Sequence, residues 1–250
     1  MRTLSSIYIL WLRQIKRYLR SPARIAGSLG QPLLFLVALG FGFGPIFQKA
    51  GGGDYVQFLV PGVIAMSILF TSVFTGVEII WDRQFGFLKE TLVAPVSRIT
   101  IMVGRTLGGA TISVFQGCVV LLLATIFGFR FSPVMLLPAL LFMLLIALLF
   151  TALGTAIGSV LEDMQGFQLI MNFLLMPLFF LSGALFPLSG LPEVLTVIAS
   201  VDPLSYGVDG LRASLIGLVH FGVALDLIVL AAVAGVFLAV GSYLFTKIQI

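Results

Sequence analysis

Phe131–Leu161 reads F-S-P-V-M-L-L-P-A-L-L-F-M-L-L-I-A-L-L-F-T-A-L-G-T-A-I-G-S-V-L, 31 residues without a charged side chain. About 20 apolar residues in a helix cross the hydrocarbon core of a bilayer, so this stretch is more than long enough. It does not alternate apolar and polar residues, which excludes a membrane β-strand. Working outward, five more charge-poor runs of span length are found, and we place the spans at 25–48, 55–80, 100–129, 133–161, 164–186 and 225–246. The stretch 213–225 is also uncharged but too short to cross alone. The expected fold is all-α, a polytopic membrane protein in one domain over 1–250. The composition of the 250 residues agrees: 60% are hydrophobic and 10% charged, against about 25% charged in a soluble domain. A disordered chain, a nucleic-acid-binding module and an ordinary soluble enzyme are excluded on that ground.

Lysine and arginine set the direction. Eleven of the fourteen fall on one side: Arg2, Arg13, Lys16, Arg17, Arg20, Arg24, Arg83, Lys89, Arg98, Arg105 and Lys247. Lys49, Arg130 and Arg212 lie on the other. The positive-inside rule then puts both termini in the cytoplasm. The net charge of +4 is mostly a topology signal rather than a nucleic-acid footprint. The first long apolar run starts late and shows no cleavage site, so a signal peptide is not expected.

Residues 1–24 precede the first span. On a helical wheel Arg2, Arg13, Lys16, Arg17 and Arg20 fall within about 100° of arc. Leu4, Ile7, Tyr8, Trp11, Ile15, Tyr18 and Leu19 fill the opposite side, and only Ile9 and Leu10 break the pattern. Such a helix lies in the membrane interface. It serves as a topology anchor, as a lever to a cytoplasmic partner, or as both.

Chemistry inside the chain is poorly supported. Cys118 and His220 are the only residues of their types, too few for a disulfide, a zinc site or a Cys/His pair. No lysine follows a glycine, so the ATP-binding phosphate loop is absent. Glu78, Asp82, Asp202, Asp209 and Asp226 sit near span boundaries rather than at mid-depth, which weakens a proton relay. Gly40 and Gly44, Gly104 and Gly108, and Gly154 and Gly158 are small-residue pairs at helical spacing, suited to close helix packing.

Two regions outside the spans stand out. The loop 81–98 reads W-D-R-Q-F-G-F-L-K-E-T-L-V-A-P-V-S-R. Phe85, Leu88 and Leu92 share one face of a short helix that Pro95 stops. Its apolar ridge suits a partner's groove or the inner membrane surface. The external stretch 187–224 is broken by proline and glycine and holds two short apolar pieces. It reads as a re-entrant helix pair between spans five and six, because irregular backbone at membrane depth survives only when buried or lining a cavity.

With these segments in place the chain resembles the membrane subunit of an ABC transporter of the ABC-2 exporter type. Tyr55–Gly62 (Y-V-Q-F-L-V-P-G) looks like the family's entry into its second span. Phe87–Arg98 is similar to its coupling helix and following turn. Leu181–Arg212, with Gly183, Pro187, Pro192, Asp202, Pro203, Tyr206 and Arg212, resembles its late external signature. The resemblance implies a pair of such subunits, a second copy or a homologue, with twelve spans in all. It also implies a separate ABC ATP-binding subunit that carries ATP and magnesium, so that this chain binds no cofactor and is no enzyme. The coupling segment would be Phe85, Phe87, Leu88, Lys89, Glu90, Leu92 and Pro95, helped by the N-terminal face of Arg13, Lys16, Arg17 and Arg20. It further implies a prokaryotic-type inner membrane, lipid contact, and a drug-like, lipid-linked or glycan cargo. The competing readings are an ion- or proton-coupled carrier or channel with no ATPase, a lipid-modifying or proteolytic membrane enzyme, and a non-transporting assembly factor.

Overall fold

The computed structural model describes residues 2–49, 53–87 and 96–247. Ten α-helices occur among them: α1 (Arg2–Leu19), α2 (Pro22–Lys49), α3 (Tyr55–Phe74), α4 (Val77–Gln84), α5 (Arg98–Ile126), α6 (Leu136–Val160), α7 (Met164–Leu181), α8 (Glu193–Val201), α9 (Pro203–Ile216) and α10 (Val223–Thr246). No strand is present in the described residues. Six helical stretches are long and apolar enough to cross a membrane, and they coincide within a few residues with the six expected spans. The fifth is shorter than expected. It ends at Leu181 because the chain turns at Gly183, whose φ is +74°.

The core gathers around α3. Leu59, Val60, Val63, Ile64, Ala65, Ile68 and Leu69 are fully buried, with α2, α5, α6 and α9 packed about them. By contrast α2, α7 and α10 keep broad exposed apolar faces. In a bilayer such faces meet lipid tails or another apolar chain at no hydrophobic cost.

Close approach is secured where side chains are missing. A Cβ on Gly76 would lie 2.0 Å from the Gly154 carbonyl oxygen, and one on Gly158 would lie 2.4 Å from the Gly76 oxygen. The expected Gly154/Gly158 pair thus seats the junction of α3 and α4 directly on α6. At the other end Gly62 meets the backbone of Ala184, where a Cβ would be 2.2 Å from the carbonyl oxygen. The P-G of Tyr55–Gly62 is therefore where the turn after α7 rests on α3. Gly104 and Gly108 receive Leu10 and Gln14 of α1. Gly40 meets Val56, and Gly44 has no neighbour at that range.

The apolar side of α1 is divided. Leu10 and Trp11 turn to α5, where the Trp11 indole donates to Thr111 Oγ1 at 3.0 Å and the Tyr18 hydroxyl to Gln116 Oε1 at 2.8 Å. Leu4, Tyr8, Ile9 and Leu19 stay exposed.

Gly76→Leu should force α4 off α6. Overpacking of this kind costs about 1–3 kcal/mol, read as a lower unfolding midpoint of the purified protein. Gly44→Leu should leave the midpoint unchanged.

Candidate functional site

Charge is concentrated at the end of α3. The helix stops at Phe74, and α4 resumes after Gly76. Glu78 and Asp82 stand one turn apart on α4 and share a face. Both are buried, at 3% and 4% exposure. Four arginines from three other helices meet them. Arg24, in the first turns of α2, donates to Glu78 at 2.8 Å. Arg17 of α1 lies 3.8 Å from Glu78 and 3.6 Å from Asp82. Arg13 is 3.9 Å from Asp82. Arg105 of α5, itself 4% exposed, donates to Asp82. Arg83 points the other way and donates to the carbonyls of Ser159 (2.8 Å) and Leu161 (3.4 Å), closing the C-terminus of α6.

Arg13 and Arg17, expected on an interfacial basic face, thus turn to the acids of α4. Lys16 and Arg20 stay exposed. Removing one partner of a buried ion pair leaves an uncompensated charge in a poor dielectric, which costs far more than the pair gains over apolar packing. The cluster therefore fixes four helices relative to one another. In the sequence Glu78 and Asp82 read only as boundary carboxylates. Their spacing at i and i+4 is visible there, but the arginines that meet them are not.

The loop to α5 starts three residues past Asp82. Phe85 and Phe87 are exposed, at 71% and 51%. Phe85 caps the end of α4, and Gly86 then turns the chain with φ +79°. The left-handed turn at Gly86 separates Phe85 from Phe87. Leu88, Lys89, Glu90, Leu92 and Pro95 lie outside the described residues. The chain enters α5 through Ser97, whose hydroxyl accepts from the Thr100 N–H.

The opposite end is organised by α9. Asp202 caps it by accepting from Leu204 N at 2.8 Å, and Pro203 follows in the first turn, where a missing N–H is harmless. Arg212 donates to the Gly183 carbonyl at 2.9 Å and stacks 3.9 Å above the Phe58 ring. Asp209 accepts from the backbone N–H groups of His220 and Phe221. Tyr206 donates to Ser200 at 2.7 Å and stacks on Phe221. Tyr55 reaches the Leu185 carbonyl at 3.0 Å. Pro192 precedes α8, and Pro187 lies beside Arg212 and Asp209 at a small cavity. Arg212 and Tyr55 thus join the 183–185 turn to α9 and α3. Burial pushes the Asp202 carboxyl up to about 7, against the hydrogen bond from Leu204. Burial also lowers Arg212 to about 10, with the Asp209 charge opposing. No group of three metal-ligating side chains occurs among the described residues.

Six apolar helices, a hub helix between two charged ends and a broad lipid-type surface define a polytopic helical membrane protein. Residues 5–216 match the family of ABC-2 type transporters. Nodulation protein J of Sinorhizobium fredii is 28% identical over 93% of this chain and 90% of its own length. A transport permease of Pyropia yezoensis named ycf38 is 33% identical over 84% of the chain and 73% of its own. The inner membrane transport permease YadH of Escherichia coli is 27% identical over 84% and 82%. The chain belongs to the ABC-2 type transporter family and is a membrane transport permease, not a member of an enzyme family.

Asp82→Ala should strand Arg105 in the interior and cost about 3–5 kcal/mol, measured as loss of folded protein. Asp82→Leu combined with Arg105→Met should recover much of that loss in a double-mutant cycle. Asp202 gives stability a pH dependence. An aspartate that titrates near 7 when folded and near 4 when unfolded adds stability that is complete below the lower value and lost as pH rises through the higher one. The unfolding midpoint should fall between about pH 4 and pH 7, and less steeply in Asp202→Asn.

Proposed function

We propose that the chain is half of an ATP-driven exporter. It supplies one side of the translocation path, and a second copy or a homologue supplies the other. A separate ABC ATP-binding subunit docks on the loop between α4 and α5 and carries ATP and Mg²⁺. ABC-2 permeases generally pair with such subunits. The observation that carries the reading is the cluster of Glu78 and Asp82 with Arg13, Arg17, Arg24 and Arg105. The docking loop leaves one of the helices it joins and returns into another. A displacement of the loop therefore passes to α1 and to the start of α2, the first span. The exposed rings of Phe85 and Phe87 beside the cluster supply apolar anchors for a partner groove.

On this reading both termini face the cytoplasm of a prokaryotic-type inner membrane, and exposed Lys16 and Arg20 meet lipid headgroups. The α8–α9 pair dips into the outer leaflet and caps the exit. In support, Gly210 and Gly207 of α9 lie against Phe142 and Ile146, well inside the start of α6. Relatives named for transport and nodulation favour an outward cargo that is drug-like, lipid-linked or a glycan.

Leu88→Arg and Glu90→Arg should cut ATP-driven transport by roughly tenfold or more, the equivalent of losing about 1.4 kcal/mol or more at a docking hot spot. Membrane insertion should stay intact. Full transport by both variants in vesicles with the ATPase would remove this loop as the docking site.

A further inference from the structure

We propose that a crevice beside α9 binds a small monovalent anion of the chloride type on Arg212. That the crevice faces the outside rests on the transport reading above, whereas its geometry does not. It measures about 110 Å³ and lies between α9, the turn after α7 and the loop 217–222. Ordinary small-molecule pockets start at about 300 Å³, so the crevice is too small for such a ligand. A few waters, or one small ion with part of its shell, fit.

Arg212 lines the crevice and is 7% exposed. A guanidinium carries five N–H donors. Here one bond is made, from Nη2 to the Gly183 carbonyl at 2.9 Å. Nε is sealed without a partner. Nη1 is not sealed and makes no bond among the described residues, so the free surface of the group is there. The Phe58 ring covers one face at 3.9 Å, which leaves the edge for a ligand. Asp209, one turn earlier on α9, is the natural counter-ion. Its carboxylate accepts instead from the backbone N–H groups of His220 and Phe221. No carboxylate among the described residues stands within ion-pair distance of Arg212. Arg105, the other buried arginine among them, is paired with Asp82.

A buried cation with unspent donors draws in an acceptor. Three features specify it. Asp209 also lines the crevice, so the surplus of positive charge is small and one negative charge is favoured over two. Leu188, Leu218 and Val219 make much of the wall apolar, which suits a weakly hydrated ion. The other side-chain donors are few. Ser182 is spent on the Phe179 carbonyl, and the Ser205 hydroxyl is sealed. The hydroxyl of Ser189 and the imidazole of His220, both exposed, remain at the rim. That is enough for one spherical acceptor and too little for the several oxygens of a phosphate. The ion would fasten α9 to the turn through Ser189 and to the loop through His220.

The test uses the purified full-length chain in lipid nanodiscs and amide hydrogen exchange read by mass spectrometry. Sodium gluconate, whose anion is too bulky for the crevice, is replaced stepwise by sodium chloride, bromide or phosphate at constant ionic strength. Chloride and bromide should slow exchange in 182–190 and 217–222 saturably, by about tenfold at ten times Kd. Phosphate should match gluconate. Arg212→Gln should abolish the chloride effect. Ser189→Ala combined with His220→Ala alters exposed side chains alone, so this variant carries the test even where Arg212→Gln does not fold. It should raise the chloride Kd by about tenfold and leave exchange in gluconate unchanged. Exchange that ignores chloride, an equal response to all four anions, a stronger response to phosphate, or wild-type chloride affinity in the double variant would overturn the proposal. The measurement needs neither ATPase nor cargo, so its failure is distinct from failure of the exporter reading.

Discussion

Two carboxylates one helical turn apart, both almost out of water, have to be balanced by cations that the local sequence does not contain. Glu78 and Asp82 meet that demand by drawing on α1, α2 and α5 at once. A single buried pair is a poor source of stability, because desolvation offsets most of the attraction. It is a strong source of geometry, since any rearrangement that strands one member costs several kcal/mol. The direction of α4, the seat of α1 on α5 and the entry angle of the first span all follow from keeping those charges together. The glycine contact of Gly76 with Gly154 holds the same junction from the other side by excluding side chains.

This arrangement gives the chain two ends with different characters. At the charged end, α4 and α5 frame the loop that begins at Phe85, and they are linked through Asp82 and Arg105. At the other end, hydrogen bonds to backbone carbonyls take over: Arg212 to Gly183, Tyr55 to Leu185 and Tyr206 to Ser200. Between them α3 is buried almost throughout and carries no charge. On the exporter reading, this hub passes displacement from one end to the other through packed helices. On the same reading, energy enters from a partner at the end where the ion pairs are.

The spans were legible because charge is nearly absent from them, with Glu78 and Arg105 close to the ends of theirs. Runs such as Phe131–Leu161 have no other physical reading. For the prolines, glycines and aspartate of 181–212 the structure supplies local reasons. Asp202 is a helix cap, Pro203 a first-turn residue, and Gly62 the landing place of the Ala184 backbone. Pairing across the fold was not legible. Glu78 lies 54 residues from Arg24 in the chain, and helical periodicity carries no information at that range. The break at Thr75–Gly76 was hidden inside a continuous apolar run. Asp226 looked like a boundary carboxylate and is fully buried.

On the exporter reading, the ion cluster makes α1 and α4 move as one body when the ATPase acts. Spin labels at Lys16 and Gln84, with a reference label at Leu169 on α7, in a Cys118→Ser background, test it directly by pulsed electron resonance on the reconstituted complex. If the cluster holds the two helices together, ATP leaves the 16–84 distance unchanged while both labels shift relative to 169. A 16–84 distance that lengthens on ATP binding, with α1 left in place, would contradict it.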